Sequence, residues 1–149
     1  MTTYTGDATV KVNTAELEGV ALDWAVGRAC KMPVEICPIY QYGRPNGQYT
    51  LGVGQRDRDG AEVDFSPSTD AAQGGTIIED ERIDTIGRWE TVGGEPVFSH
   101  WLAIHPMVRP DGERHAATGP TLLIAAMRCF ATAAFGEWID VPEKLVTKK

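Results

Sequence analysis

The chain has few cysteines, fewer basic than acidic residues and no long apolar run. Only three cysteines, Cys30, Cys37 and Cys129, occur in 149 residues. Their odd number and apolar surroundings exclude a disulfide-stapled secreted scaffold and point to reduced core thiols in a cytoplasm. Spacing alone leaves a Cys30–Cys37 bridge open. The longest apolar stretch, Leu122 to Met127, is far too short to span a bilayer. Met1 to Val12 contains no basic segment followed by an apolar one, so no secretory signal is read there. Lys and Arg total 14 against 21 Asp and Glu, giving a net charge of −7 and a pI near 4.9. That field repels DNA, RNA and anionic membranes, and the only basic run is Lys148-Lys149. Nucleic acid and membrane are therefore excluded as expected partners.

What is present describes one globular domain spanning residues 1–149. Hydrophobic residues make up 42% and charged residues 23%, enough apolar material for a core without staples. With 16 Gly and 9 Pro, the chain carries turn residues at a density that suits antiparallel strands. A short strand is predicted at Thr9–Val12. Asn13 and Glu16 have the spacing of a capping box, and Leu17, Val20, Ala21, Trp24, Ala25 and Ala29 follow at helical intervals until Pro33 stops the helix. Val34–Tyr42, Gln48–Gln55 and Ala61–Phe65 read as a three-stranded meander with turns at Asn46-Gly47 and Asp59-Gly60. Ser66 to Gly75 reads as one or two helical turns, with Ser66 as cap, Pro67 in the first turn and Gly74 as left-handed exit. Thr76-Ile77-Ile78 then reads as extended, before the acidic Glu79-Asp80-Glu81.

Ile83–Val92 and Pro96–Ile104 read as a hairpin around Gly93-Gly94. Pro106 and Pro110-Asp111-Gly112 mark an irregular loop reaching Gly119. Pro120 opens a second long helix that buries Leu122, Leu123, Ala126, Met127, Phe130, Ala133 and Ala134, and Gly136 closes it. Trp138–Pro142 reads as a docking tail, with fraying expected over residues 1–8 and 144–149. The predicted class is α+β: an antiparallel sheet of hairpins with two main helices on one face.

Three blocks carry a family resemblance. They are Thr14–Val26, then Phe65-Ser66-Pro67-Ser68-Thr69-Asp70 with Gln73-Gly74-Gly75 and Ile77-Ile78-Glu79, and finally Gly119-Pro120-Thr121-Leu122-Leu123-Ile124-Ala125-Ala126-Met127-Arg128-Cys129. In this order they resemble the NinX-type proteins of tailed phages and prophages. The family's Ser-Pro-Ser-Thr-Asp block usually continues with Trp-Ala, whereas Ala71-Ala72 stands here, so a stacking role for that Trp does not carry over. The segment from Arg88 to Thr118 is also longer than the family pattern. The resemblance implies a phage protein acting in the cytoplasm of a bacterial host. It implies no chemistry.

The candidate ligand-binding residues are Ser66, Ser68, Thr69, Asp70, Gln73, Gly74, Gly75, Trp89 and Arg128. Hydroxyls, helix-start amides and a glycine pair are what a phosphate or carboxylate needs. Capping alone explains Ser66, Pro67 and Gly74, but explains Ser68, Thr69, Asp70 and Gln73 together less well. Arg128 lies in an apolar helix and requires a partner, either a ligand anion or Asp70, unless it faces solvent. Trp24 fits a core stripe, whereas Trp89 alternates with charged residues and is the better stacking candidate. His100 and His105 are predicted on opposite strand faces, and no Cys-x-x-Cys or Gly-x-Ser-x-Gly occurs, so neither a metal nor a catalytic site is assigned. Glu79, Asp80, Glu81 and Asp84 read as a solvated acidic turn.

The sequence reading is therefore a non-enzymatic, homo-oligomeric accessory protein without cofactor. It binds a small anionic or nucleotide-like ligand, such as a host-defence signal to be sequestered. The alternatives are an interaction module that inhibits a host enzyme, or a nucleotide hydrolase.

Overall fold

A computed structural model describes residues 8–56 and 62–146. In chain order the elements are β1 (Thr9–Asn13), a 3-10 turn (Thr14–Glu16), α1 (Gly19–Ala29), β2 (Glu35–Gln41), β3 (Arg44–Arg56), β4 (Glu62–Asp64), α2 (Ala71–Glu81), β5 (Asp84–Val92), β6 (Glu95–Val108), β7 (Arg114–Gly119), α3 (Leu122–Phe135), β8 (Trp138–Pro142) and a closing 3-10 turn (Glu143–Leu145). The fold is α+β, and every strand pair among the described residues is antiparallel. The strands divide into three sheets, ordered β1-β8, β2-β3-β4 and β5-β6-β7. A third helix, α2, joins the two expected ones. No helix among the described residues is long and apolar enough to cross a membrane.

Helix α3 is the hub, packing on α1, α2 and the strands β5 to β8. Ala125, Ala126, Met127, Cys129 and Ala131 are wholly buried in it. Their mostly small side chains let neighbours approach closely on several sides at once. The buried sector is rotated from the predicted face. Ala126, Met127 and Phe130 are buried as expected, but Leu122, Leu123 and Ala133 are half-buried and Ala134 is exposed. Thr121, rather than Pro120, sets the helix start by accepting from the Ile124 N–H at 3.1 Å.

Several local expectations are corrected. The Asn13 side chain does cap, but what it caps is the 3-10 turn, through Ala15 N–H at 2.9 Å. Leu17 and Glu18 are then extended, and α1 begins only at Gly19, whose φ is +61°. The first hairpin turns at Tyr42-Gly43, both with positive φ, not at Asn46-Gly47. Asn46 and Gly47 instead lie within β3, opposite the β2 register shift between Pro38 and Tyr40, with Asn46 Oδ1 accepting from Gln48 N–H. Thr76, Ile77 and Ile78 are helical because Asp70 nucleates α2, its carboxylate accepting from Ala72 and Gln73 N–H. Gly74 therefore sits inside α2, and Arg82 takes the left-handed exit with φ of 58°. The predicted loop after Ile104 continues as strand to Val108 and returns as β7. Leu145 is buried, so the tail is ordered through the closing turn. Asp59-Gly60, Lys148-Lys149 and residues 1–7 of the frayed stretch predicted over 1–8 lie outside the described residues.

Candidate functional site

A concavity lies at the break between the 3-10 turn and α1. Its cavity volume is ≈ 670 Å³, within the range that holds small molecules. One wall is Val12, Asn13, Glu16, Leu17 and Glu18. The first turn of α1, Ile124 of α3, and Leu145 and Val146 add apolar surface. Ser68 and Thr69 complete the lining. The N-cap position of α1, Glu18, makes no side-chain cap bond to the helix. The first-turn amides, at the positive end of the helix, thus receive no side-chain cap from Glu18.

A smaller hollow of ≈ 300 Å³ adjoins it and shares Gly19, Val20 and Leu145. It is lined also by Tyr49 and Lys144, whose ammonium lies 5.6 Å from the Tyr49 ring centroid. The two hollows meet at the start of α1.

Asp23, a residue that sequence reasoning passed over, places Ser68 and Thr69 in the lining. It lies in α1 and is only 5% exposed. Its carboxylate accepts from the Ser68 N–H at 2.8 Å and from the Ser68 hydroxyl. Burial pushes its carboxyl up to about 6, and the Ser68 bonds pull in the opposite direction. Asp23 is thus a positioning residue that pins the 66–70 turn onto α1. No periodicity marked it, because α1 is buried continuously from Ala21 to Gly27.

The structure separates the predicted site residues. Ser68 and Thr69 face the cleft. Ser66, Asp70 and Gln73 are used internally. The Ser66 carbonyl accepts from Thr69 and Asp70 N–H. Gln73 accepts from Ser66 N–H at 2.7 Å and donates to the Asp64 carbonyl at 2.8 Å. Gly74 is buried where any Cβ would strike the Pro67 carbonyl and the Leu123 side chain, and Gly75 has open space beside it. Trp89 is 64% exposed on the β5–β6 hairpin and is not among the residues lining the cleft. As expected, Trp24 is core. Arg128 neither pairs with Asp70 nor simply faces solvent. Its Nε donates to the Leu17 carbonyl at 2.7 Å and its Nη1 to the Thr118 carbonyl at 2.9 Å. It therefore braces the cleft wall from behind. Burial pulls its pKa down while Glu18 and Glu16 push it up.

A second polar group surrounds His105, which is buried on β6. Its Nδ1 accepts from the Met107 N–H at 3.1 Å, so Nε2 carries the proton and donates to Glu81 at 2.8 Å. Glu81 thus belongs to α2 and to this pair rather than to a solvated turn. Burial pushes the Cys129 thiol up to about 12, and its Sγ lies 3.5 Å from the His115 carbonyl. It is a thiol in the core, not a nucleophile. Cys30 and Cys37 are also thiols rather than a bridge.

The family model described as Bacteriophage P22, NinX matches residues 13–133. The chain belongs to that family. The matched span runs from the end of β1 into α3, and so contains Asn13, Glu16, Leu17 and Glu18 of the cleft wall, Asp23 and the Ser68–Thr69 turn. All three blocks that resemble NinX proteins fall inside it. Membership makes this a phage accessory protein. No curated protein matches the chain.

Proposed function

We propose that this NinX-family protein is a non-enzymatic binding protein whose cleft takes a small anionic, nucleotide-like ligand. The reading rests on the meeting of the two hollows, ≈ 670 and ≈ 300 Å³, at the uncapped start of α1. Amides at a helix start favour an anion. The adjoining Lys144 adds a cation, and Leu17, Val20 and Ile124 offer apolar surface to an uncharged ring. Glu16 and Glu18 on the same wall disfavour a ligand charged along its whole length. Binding fits better than turnover because the buried reactive groups are already committed. Asp23 holds Ser68, His105 is fixed between Glu81 and Met107, and Cys129 is buried. Sequestering a host-defence nucleotide signal is the use such a site offers a phage.

The test is thermal denaturation with ADP-ribose and with a cyclic dinucleotide as probes, alongside native mass spectrometry of the purified protein. Stabilisation should rise with probe concentration, as binding to the folded state alone requires. The probe should be recovered unchanged by chromatography. Thr69→Glu and Lys144→Glu should abolish protection while the circular dichroism of each unliganded variant matches wild type. Recovery of a hydrolysed probe would overturn the non-enzymatic reading. No protection by either probe, together with no co-purified molecule, would overturn the cleft reading. In that case a stable host protein in a pull-down would favour an interaction module.

A further inference from the structure

Strand β5 is an edge of its sheet, which is ordered β5-β6-β7. Thr85 and Gly87 are half-buried, whereas every residue from Arg88 to Val92 is exposed. Exposed edges are usually guarded by charged side chains, proline, a β-bulge or a covering segment; here the β5–β6 register shifts between Arg88 and Trp89, with the extra residue, Ser99, on β6 rather than on the edge strand. This one carries Ile86, Trp89 and Val92, which are 41%, 64% and 56% exposed. Phe98, paired with Trp89 across the hairpin, is 36% exposed and meets the indole edge-on at 5.4 Å. Such a strand is a template for another strand.

Its side-chain order specifies which one. Antiparallel pairing of two copies about a two-fold axis must centre on a residue, because side chains directly opposite share a face. Centred on Trp89, Arg88 faces Glu90 of the second copy twice over, Ile86 faces Val92 twice over, and the two indoles meet at the axis. Centring on Arg88 or Glu90 puts like charges together, and centring on Gly87 puts Asp84 against Glu90. Centring on Ile86 pairs Asp84 with Arg88, but it overlaps a shorter stretch and leaves Trp89 uncovered. The Trp89 register matches charge with opposite charge and apolar with apolar along Ile86–Val92.

We propose that β5 is a homodimer seam, joining two copies into one continuous sheet in the register centred on Trp89. The full chain of 16.2 kDa should sediment as a concentration-dependent dimer across the micromolar range. Arg88→Glu and Glu90→Arg should each weaken dimerisation about tenfold or more, since each turns two attractions into two repulsions. Mixing these two single variants should regenerate a dimer, because the heteromeric seam again pairs opposite charges. The double variant R88E/E90R should also dimerise. Circular dichroism of each variant should match wild type. A wild-type chain that stays monomeric, a dimer indifferent to Arg88→Glu, or single variants that fail to recombine would each overturn the seam.

Discussion

Replacing Asp23 with Asn removes a titration while nearly preserving shape. Burial raises the Asp23 carboxyl from 3.8 to about 6, so the folded protein holds this proton more tightly than the unfolded chain does. Linkage then fixes the sign. The folded state binds more protons between those two values, so stability falls as pH rises through that window and is flat above it. The gap corresponds to about 3 kcal/mol, the cost of keeping an ionised carboxylate in the core at neutral pH. The asparagine amide is neutral at every pH, and its oxygen still accepts the Ser68 N–H. Wild-type stability minus that of D23N should therefore drop by about 2.5 kcal/mol from about pH 4 to pH 8, or about 5–10 °C in Tm for a chain of this size. Urea denaturation at a series of pH values measures it, with buried Trp24 on the same helix as fluorescent reporter. Taking the difference cancels every group common to both proteins. Parallel curves for the two would refute the argument, because the carboxylate would then titrate alike folded and unfolded.

Three further outcomes are expected. Gly74→Ala should destabilise by about 1–3 kcal/mol, because the new methyl meets the Pro67 carbonyl and lies 2.7 Å from Leu123 Cδ2; denaturant titration reads it, while Gly75→Ala, with open space, should be tolerated. Arg128→Met should cost about 2–3 kcal/mol by leaving the Leu17 and Thr118 carbonyls without their charged donor, and Arg128→Lys should recover only part, since an ammonium cannot span both. An aromatic disulfide reagent should titrate the half-buried Cys30 and Cys37 in the folded protein and reach wholly buried Cys129 only after denaturation. Reaction of Cys129 as fast as the others would contradict its placement.

The fold was legible where one local signal dominated. Gly93-Gly94 between alternating runs marks a hairpin that the structure contains, and both glycines have positive φ. Where two signals competed, sequence alone chose wrongly. Asn46-Gly47 looks like the better turn, but Tyr42-Gly43 closes the hairpin and leaves the Asn-Gly pair to form a bulge. Thr76-Ile77-Ile78 is β-branched, yet the Asp70 cap and the packing of α2 on α3 override that preference. The site was half legible. Ser68 and Thr69 stood in a motif, whereas Asp23 stood in an apolar helix, and only tertiary contact shows that its carboxylate has turned inward. Arg128, in an apolar helix, signals in the sequence that it needs a partner. Its partners are the carbonyls of Thr118 and of Leu17, the latter exposed where the 3-10 turn breaks before α1, a break no spacing rule predicts.

The pairing of β1 with β8 sets an order of events during synthesis. Thr9 lies opposite Pro142 and Asn13 opposite Trp138, and the buried Thr14 hydroxyl donates to the carbonyls of Gly136 and Glu137. A chain leaving the ribosome offers its first strand long before it offers the last. Until then β1 has no strand to pair with among the described residues, and the cleft wall lacks its β1–β8 anchor and keeps only the Arg128 bond from α3 to Leu17. The cleft is therefore finished only when residues 138–146 have emerged. A product ending before Trp138 keeps every residue of the matched family span but lacks the clasp that shapes its binding wall.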